Sequence, residues 1–410
     1  VWILCIVAIW EIMACVVATT KRTPENILPH IYQILYSLIS TKKVTGTQTA
    51  LQVVALASVQ TLLRAAVGFL IGMAAGFGLA LLMKLSGIVE KLAFPYLMLI
   101  QLIPILGMAP IILSLTGSIG VSRIVIAAIL TFYPVAANTL AGLKSVQQEK
   151  YELMYSYAAN RRTIYKKVLI PSCIPYFFTG LKIAAPMAIT ASILVDTLQG
   201  DGGLGCMLSQ SLKHAMSIYV FWDIVLVSAV IGVLSAKIMG WLELAISPLK
   251  RIDRKKSLIV RMKESAQAQK ALGIILPVLL ALLIFILWQS QVIHAMLRTD
   301  VFTLPLPTRI AAIIHDNWSA ILVNIKSTVM VSAIGLIVGS VIGYLVAVLA
   351  TIAPKWGVAG LPIVSAFNAI PIVALAPVMT NWTKDVSNQP EVRSMVAKIL
   401  VVMIVSIASM

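Results

Sequence analysis

The chain has 410 residues, of which 60% are hydrophobic and only 11% are charged. Soluble domains carry about 25% charged residues, so too few are present here to cover a water-facing surface. The formal net charge of +17 does not indicate nucleic-acid binding, because Lys and Arg lie in short segments between apolar runs and form no basic stripe with aromatic residues. The composition predicts an integral membrane protein.

The apolar runs predict an all-α, polytopic transmembrane fold. A spanning helix needs about 20 mainly apolar residues, and about ten spans are expected on this criterion. They are 1–18, 53–83, 92–115, 121–143, 173–197, 219–246, 271–293, 321–350, 357–380 and 395–410. The first six form one set and the last four begin a second set and stop, so we expect the chain to be a fragment of a longer protein.

The basic residues predict how these spans are oriented. Lys and Arg are concentrated in 144–170 and 250–270, which are predicted to be cytoplasmic because basic loops stay on that side. The opposite loops at 116–120 and 198–217 carry almost no net charge, in agreement. The loop 19–50, predicted to be outside, holds four basic residues and does not fit the rule.

An internal repeat predicts the domain organisation. The segment 61–110 superimposes on 328–377 without a gap, and Gly and Pro are retained together. The pairs are Thr61, Gly68, Gly72, Gly76, Ala80, Pro95, Pro104, Ala109 and Pro110 with Thr328, Gly335, Gly339, Gly343, Ala347, Pro362, Pro371, Ala376 and Pro377. After an expected insertion around 381–393, the alignment resumes with Arg123 on Lys398. We therefore predict a six-helix unit over 1–249, a cytoplasmic basic linker over 250–270 and a shorter second unit over 271–410.

The repeated glycines are predicted to be helix-packing residues. They recur at every fourth position on one helix face in both units, and small residues at this spacing let helices approach closely in lipid. The set is Gly68, Gly72, Gly76, Gly335, Gly339 and Gly343. Tight packing within each unit and a contact between the two units are both compatible with the pattern.

The polar segment Tyr151–Pro171, YELMYSYAANRRTIYKKVLIP, is the most informative cytoplasmic stretch. A helix over about 152–164 would be amphipathic. Glu152, Ser156, Asn160 and Arg161 would share one face, and Leu153, Tyr157 and Ile164 another. Such a helix suits docking to a soluble partner, and the alternative is a helix that lies in the plane of the membrane interface.

The polar segment resembles the EAA loop of ABC importer permeases, whose pattern is E-A-A, three residues, G, and about nine residues to I-x-L-P. Glu152 matches the glutamate and Pro171 the final proline. Leu153 and Met154 replace the two alanines, and Ala158 replaces the glycine.

The flanking sequences are similar to permeases of the nitrate/sulfonate/taurine type. Pro171–Ala184, PSCIPYFFTGLKIA, resembles the run that follows the loop in that family. Further matches are Thr61–Arg64 with Gly68 and Gly72, Pro104 to Pro110, Ser122-Arg123, Tyr133-Pro134, Asn138-Thr139, Gly142-Leu143 and Gly203–Gly205. The resemblance covers nearly all of 50–246 and, more weakly, 305–410.

The resemblance implies the permease of an ATP-driven importer in a prokaryotic cell membrane, with two units fused in tandem. It implies a cytoplasmic ABC ATPase dimer as partner, with ATP and Mg bound there, and an extracytoplasmic protein that delivers a small polar or anionic solute. The implied ATPase-coupling residues are Glu152, Leu153, Met154, Ala158, Asn160, Arg161, Ile164 and Pro171.

Ionisable residues inside spans are candidates for function. Arg64 has Val331 as its repeat counterpart, so an anionic solute would meet the two units unequally. Asp196 stands where the family usually has Glu, near the outer end of the fifth span. We assign Arg64, Asp196, Pro104 and Pro371 to the translocation path, with snorkelling or structural pairing of Arg64 and Asp196 as the alternative.

Other function classes have weaker support. The four cysteines and four histidines show no metal-ligand spacing, and no G-x-x-x-x-G-K-[ST] motif is present, so we expect no metal, nucleotide or catalytic site in this chain. A secondary transporter with internal repeats is the main rival, although those often show inverted halves and acidic residues at mid-membrane. A membrane enzyme would need a convergent catalytic set, and a scaffold would not need the polar segment.

Overall fold

The computed structural model describes most of the chain. The described residues are 2–20, 24–26, 28–198, 202–212, 218–246, 266–352, 379–380, 382–383, 386 and 389–409. Nearly all of them are helical, and the strands are a two-stranded hairpin of Lys43–Thr45 and Gln48–Thr49 that turns at Gly46. The chain folds as the all-α membrane protein that its composition predicts.

The helices are numbered here in chain order. They are α1 (Trp2–Thr20), α2 (Ile31–Ile39), α3 (Ala50–Leu85), α4 (Gly87–Leu102), α5 (Ile105–Thr116), α6 (Ile119–Lys144), α7 (Gln148–Ser156), α8 (Arg161–Ile164), α9 (Ile170–Leu198), α10 (Leu204–Leu212), α11 (Ile218–Ile246), α12 (Ala266–Gln289), α13 (Val292–Leu297), α14 (Pro307–Asp316), α15 (Trp318–Ile352) and α16 (Pro390–Ser409). A π-helical turn, Tyr165–Leu169, joins α8 to α9.

Among the described residues, five helices are long and apolar enough to cross a membrane, or six if the bent pair α4–α5 is one span. The five lie at the predicted positions of the second, fourth, fifth, sixth and eighth spans. The predicted span 357–380 lies almost entirely outside the described residues. The total of about ten spans and the repeated six-helix unit therefore stay predictions.

The predicted span 92–115 is not one continuous helix. The chain bends by 111° between Gly87–Leu102 and Gly107–Thr116. Ile103 and Pro104 both adopt extended backbone at the break. Proline lacks the N–H that would continue the helix, and it disfavours helical backbone in the residue before it, so the Ile103-Pro104 pair ends α4.

The chain groups into two compact units. The first comprises Val1–Leu63, Ser192–Val233 and Ile314–Met410, and the second comprises Arg64–Ala191 and Leu234–Ile313. The boundaries fall inside α3, α9, α11 and α14, so these units are a different division from the predicted repeat. Within the second unit, α12 packs on α4, and the Tyr96 hydroxyl donates a 2.5 Å hydrogen bond to the Pro277 carbonyl oxygen.

The glycines of α3 pack against the backbone of α6. A Cβ added at Gly68 would lie 2.5 Å from the carbonyl oxygen of Ile124, and one at Gly72 would lie 2.4 Å from that of Ala128. A side chain at either position would force the helices apart, so glycine is needed for this close approach.

The glycines of α15 make the corresponding contacts with α16. A Cβ at Gly335 would lie 3.1 Å from the Ile399 carbonyl oxygen, and one at Gly339 would lie 2.8 Å from that of Met403. The alignment that places Arg123 on Lys398 also places Ile124 on Ile399 and Ala128 on Met403. The two aligned segments thus pack in the same register, each within its own half of the sequence.

Candidate functional site

The polar segment forms a helix, a turn and a second short helix. α7 ends at Ser156, and α8 begins at Arg161 after an irregular turn. The prediction of one continuous helix over 152–164 is therefore wrong, and the side chains do not share the faces that such a helix would give them.

The end of α7 explains why the helix stops there. The Ala159 N–H donates to the Met154 carbonyl oxygen at 3.0 Å, and the Ala158 N–H donates to that of Tyr155 at 2.9 Å. This bond pair defines a Schellman motif, whose reversing residue adopts left-handed backbone. Ala158 has φ +49, and it stands at the position where the EAA pattern has glycine. The left-handed backbone at this position explains why the pattern has glycine there, because glycine adopts that conformation without steric strain from a Cβ.

Asn160 starts the next helix. Its side-chain oxygen accepts a 2.9 Å hydrogen bond from the Thr163 N–H and so caps the N-terminus of α8. Arg161, the first residue of α8, is exposed, whereas Ile164 at its end is buried. The polar segment therefore turns back toward the protein body at α8.

One side of the polar segment is fixed to a hydrophobic core. Ile164 and Leu169 are buried in a cluster with residues of α3, α4 and α6. Met154 and Ala159, on either side of the turn, pack against the same cluster. This shared contact is the hydrophobic pairing that accompanies a Schellman motif, so tertiary packing stabilises the turn.

The other side of the polar segment is exposed and partly apolar. Leu153, Tyr155 and Tyr157 are 55%, 65% and 74% exposed. Glu152 is also exposed. The expectation that Ile164 shares a face with Leu153 and Tyr157 is wrong, because the break at Ala158 turns Ile164 into the core.

Ionic and aromatic contacts bring the ends of four helices to one side of the second unit. Lys144, at the end of α6, forms an ion pair with Glu90 near the start of α4. Lys84, at the end of α3, lies 5.6 Å from the ring centre of Tyr151 in α7. Burial raises the pKa of Tyr151 above its usual value, and Tyr155 adds to the effect. The contact between Glu90 and Lys144 places the start of α4 beside the end of α6.

The predicted path residues have different surroundings. Arg64 is half-buried in the middle of α3, and Pro104 is exposed at the α4–α5 bend. Asp196 is fully buried near the end of α9. Pro371 lies outside the described residues, and Gly343 is buried in α15.

Asp196 belongs to a buried polar network at the end of α9. Its Oδ2 atom accepts a 2.8 Å hydrogen bond from the Thr61 hydroxyl of α3. The same hydroxyl accepts a 2.9 Å hydrogen bond from the Leu204 N–H at the start of α10. We name Thr61, Asp196 and Leu204 the Thr61 network, and it joins α3 to the end of α9 and the start of α10.

Two polar contacts to α11 were not predicted. Lys182 of α9 forms an ion pair with Glu243 of α11. The Ser37 hydroxyl of α2 donates a 3.0 Å hydrogen bond to Asp223 of α11. In the sequence these residues stand out only as isolated polar residues in apolar runs. That pattern does not indicate which of them form pairs.

The sequence profile described as "Binding-protein-dependent transport system inner membrane component" matches residues 68–248. A formylaminopyrimidine transport permease protein of Halalkalibacterium halodurans is 31% identical over 191 residues, which are 47% of this chain and 76% of that protein. The chain belongs to this permease family. Two further relatives are more distant. A nitrate import permease of Synechococcus elongatus is 23% identical over 60% of this chain and 87% of that protein. A putative aliphatic sulfonates transport permease of Bacillus subtilis is 25% identical over 58% of this chain and 82% of that protein.

The family match places the polar segment and the end of α9 inside the part of the chain that defines a permease. It begins at Gly68, the first packing glycine, and ends two residues after α11. The protein is thus a membrane-embedded permease subunit of an ABC-type, binding-protein-dependent transport system. Permeases of this kind move a solute and do not transform it.

Proposed function

We propose that this permease moves a small polar or anionic solute inward and that the polar segment docks on a separate cytoplasmic ABC ATPase dimer. ATP and Mg would be bound and consumed on that partner. The single observation that carries the proposal is the two-sided character of the segment. Met154, Ala159 and Ile164 pack against or within the core, whereas Leu153 and Tyr157 face outward.

This geometry suits the transmission of force. A helix whose apolar residues project into solvent fits a groove on a partner protein. Because the opposite side is packed into the ends of α3, α4 and α6, a displacement of α7 by the partner would move those helices as well. A freely suspended loop would not transmit such a movement.

The side on which the segment lies is inferred from charge. The polar segment carries four Lys or Arg residues, and the ends of α3 and α6 add Lys84 and Lys144. Basic residues next to spans are retained on the cytoplasmic side. We therefore propose that α7 and α8 lie in the cytoplasm of a prokaryotic cell, with the permease in its plasma membrane.

The solute class is inferred from the named relatives. They are permeases for formylaminopyrimidine, nitrate and, putatively, aliphatic sulfonates. These compounds are small and polar, and two of the three classes are anionic. An extracytoplasmic binding protein would deliver the solute, as the family description implies.

We also propose that the chain contains two permease units in tandem, over 1–249 and 271–410, joined by a cytoplasmic linker at 250–270, with about ten spans in all. The support is the repeated packing register, in which Gly68 and Gly335 meet the equivalent carbonyl groups of Ile124 and Ile399. In addition, α12 of the second half packs on α4 of the first. Both halves would then contribute to one translocation path.

The proposal is tested by charge reversal in the polar segment. Glu152→Arg, in proteoliposomes that contain the permease, its ATPase and its binding protein, should reduce ATP-dependent uptake of formylaminopyrimidine, nitrate or a sulfonate by at least about tenfold. A like charge introduced at an interface costs several kcal/mol, and about 1.4 kcal/mol corresponds to a factor of ten. ATP hydrolysis by the ATPase should continue.

Glu391→Arg is the matched control, because Glu391 is also an exposed glutamate on a helix, α16. It should leave uptake unchanged. Normal uptake by the Glu152→Arg protein would contradict a docking role for the polar segment.

A further inference from the structure

The Thr61 network fixes a short helix, α10, against α3 and α9. Thr61, Asp196 and Leu204 each have 0% of their surface exposed. Thr61 lies eleven positions after Ala50, where α3 begins, which is about 16 Å along the helix axis. Because the first residue of α10 contacts Thr61, α10 begins well below the outer end of α3.

The backbone before α10 fits only around glycine. Gly203 has φ +94, and a Cβ there would lie 2.1 Å from Asp196 Oδ2 and 2.9 Å from the Thr61 hydroxyl oxygen. A Cβ at Gly205 would lie 1.9 Å from the Ile193 carbonyl oxygen. The start of α10 is therefore pressed directly against α9 and against the network.

The single hydroxyl of Thr61 links all three helices. It donates its proton to Asp196 and accepts the Leu204 N–H, so both bonds are lost together when the hydroxyl is removed. Inside a membrane protein, backbone away from a regular span is tolerated only where protein buries it or where it lines a cavity. An ionisable residue buried within a span, as Asp196 is, is by default a candidate for function.

We propose that α10 is the outer gate of the translocation path and that the Thr61 hydroxyl is the positioning group that keeps it closed. This inference rests on the proposed function and its orientation. Opening would require Thr61 to release Leu204 and Asp196 together, which would allow α10 to pivot at Gly202 and Gly203. Both glycines have left-handed backbone, and residues without a Cβ readily absorb such a change.

The repeat supplies a contrast. Thr328 is the counterpart of Thr61 in the aligned segments, but Thr328 is exposed. Removing its hydroxyl should have no effect on α10. Thr328→Val is therefore a matched control for Thr61→Val.

A native residue reports on the gate. Cys206 lies on α10 and is only 3% exposed. With Cys5, Cys15 and Cys173 replaced by Ala, it is the one remaining thiol of the chain. Its reaction with a membrane-impermeant maleimide, in right-side-out vesicles without ATPase, binding protein or solute, measures how often α10 leaves its closed position.

Thr61→Val should raise the labelling rate of Cys206 by about tenfold or more, because the Leu204 N–H loses its buried acceptor. Thr61→Ser retains the hydroxyl and should label as slowly as the parent protein, and so should Thr328→Val. If Thr61→Val is not recovered as a monodisperse protein, Thr61→Ala gives the same test with a smaller side chain. A purely structural role would lower the recovery of Thr61→Val without changing the labelling rate of the folded fraction.

The proposal that α10 is a gate is contradicted if Cys206 is labelled no faster in the variants without the Thr61 hydroxyl than in Thr61→Ser. Fast labelling of Cys206 in the parent protein would also overturn it, because α10 would then be open at rest. The labelling needs no ATPase, so it is independent of the uptake experiment with Glu152→Arg. Loss of the proposed docking role and loss of the gate can therefore be told apart.

Discussion

A turn with left-handed backbone lies on each side of α9 in the sequence, and the two turns are built in different ways. Before α9, the reversing residue is Ala158 at φ +49, and it is exposed to solvent. After α9, Gly202 and Gly203 have φ +103 and +94, and Gly203 is buried against Asp196. One turn presents side chains to the outside, and the other holds a helix inside the protein.

The difference shows what each turn requires of the sequence. At φ near +50 a residue with a Cβ is strained but possible, so the exposed turn accepts alanine. At φ near +94 the Cβ of any other residue would enter the space of the Asp196 carboxylate. The first turn can therefore vary and serve as a docking surface, whereas the second depends on glycine.

Of the two turns, the one at Gly203 should be the more sensitive to substitution, and Gly203→Ala tests this. We expect a loss of about 3 kcal/mol or more in stability, because strained backbone and overpacking against Asp196 add. Thermal unfolding in detergent would measure it. Gly46→Ala is the control, since Gly46 has φ +55 and no atom within 4 Å of an added Cβ, and it should cost only about 1 kcal/mol. Equal losses at the two positions would show that Gly203 is not packed against Asp196 as described.

A smaller effect is expected at the other turn. Ala158→Gly removes the left-handed strain and should stabilise the protein by up to about 1 kcal/mol, after allowance for the greater freedom of glycine in the unfolded chain. Ala159→Gly should instead destabilise it, because Ala159 packs on the core and has no positive φ to relieve. The two melting temperatures should move in opposite directions, and a destabilised Ala158→Gly protein would contradict the Schellman geometry.

The helical skeleton could be predicted from sequence because it follows from local apolar length. The predicted spans 53–83 and 121–143 lie within α3 and α6, and 219–246 differs from α11 only at its first residue. The coarse function could also be predicted, since several short motifs together resembled one family of permeases. Neither inference needed knowledge of long-range contacts.

The breaks were harder to predict. Pro104 could be read from the sequence, but the apolar run over 92–115 is long enough for a span and therefore did not predict the bend at Pro104. The turn at Ala158 contains no Gly or Pro, and it forms because Met154 and Ala159 pack on the same cluster, which a local pattern does not show.

The Thr61 network could not have been assembled from one sequence. Thr61 and Asp196 are 135 residues apart, and nothing in either motif specifies the other. The same holds for Lys182 and Glu243, separated by 61 residues. Each residue was noticeable alone as a polar group in an apolar run, but only the fold assigns the partners.

The docking role of the polar segment is tested most directly by the accessibility of Tyr157, which is 74% exposed. In a protein otherwise free of cysteine, Tyr157→Cys should react with a membrane-impermeant maleimide from the cytoplasmic side only, and bound ATPase should protect it. Phe302→Cys, at a position 94% exposed and on the opposite side by the proposed topology, should react from outside and be unaffected by the ATPase. Labelling of Tyr157→Cys from the outside, or labelling that the ATPase does not slow, would contradict the proposal.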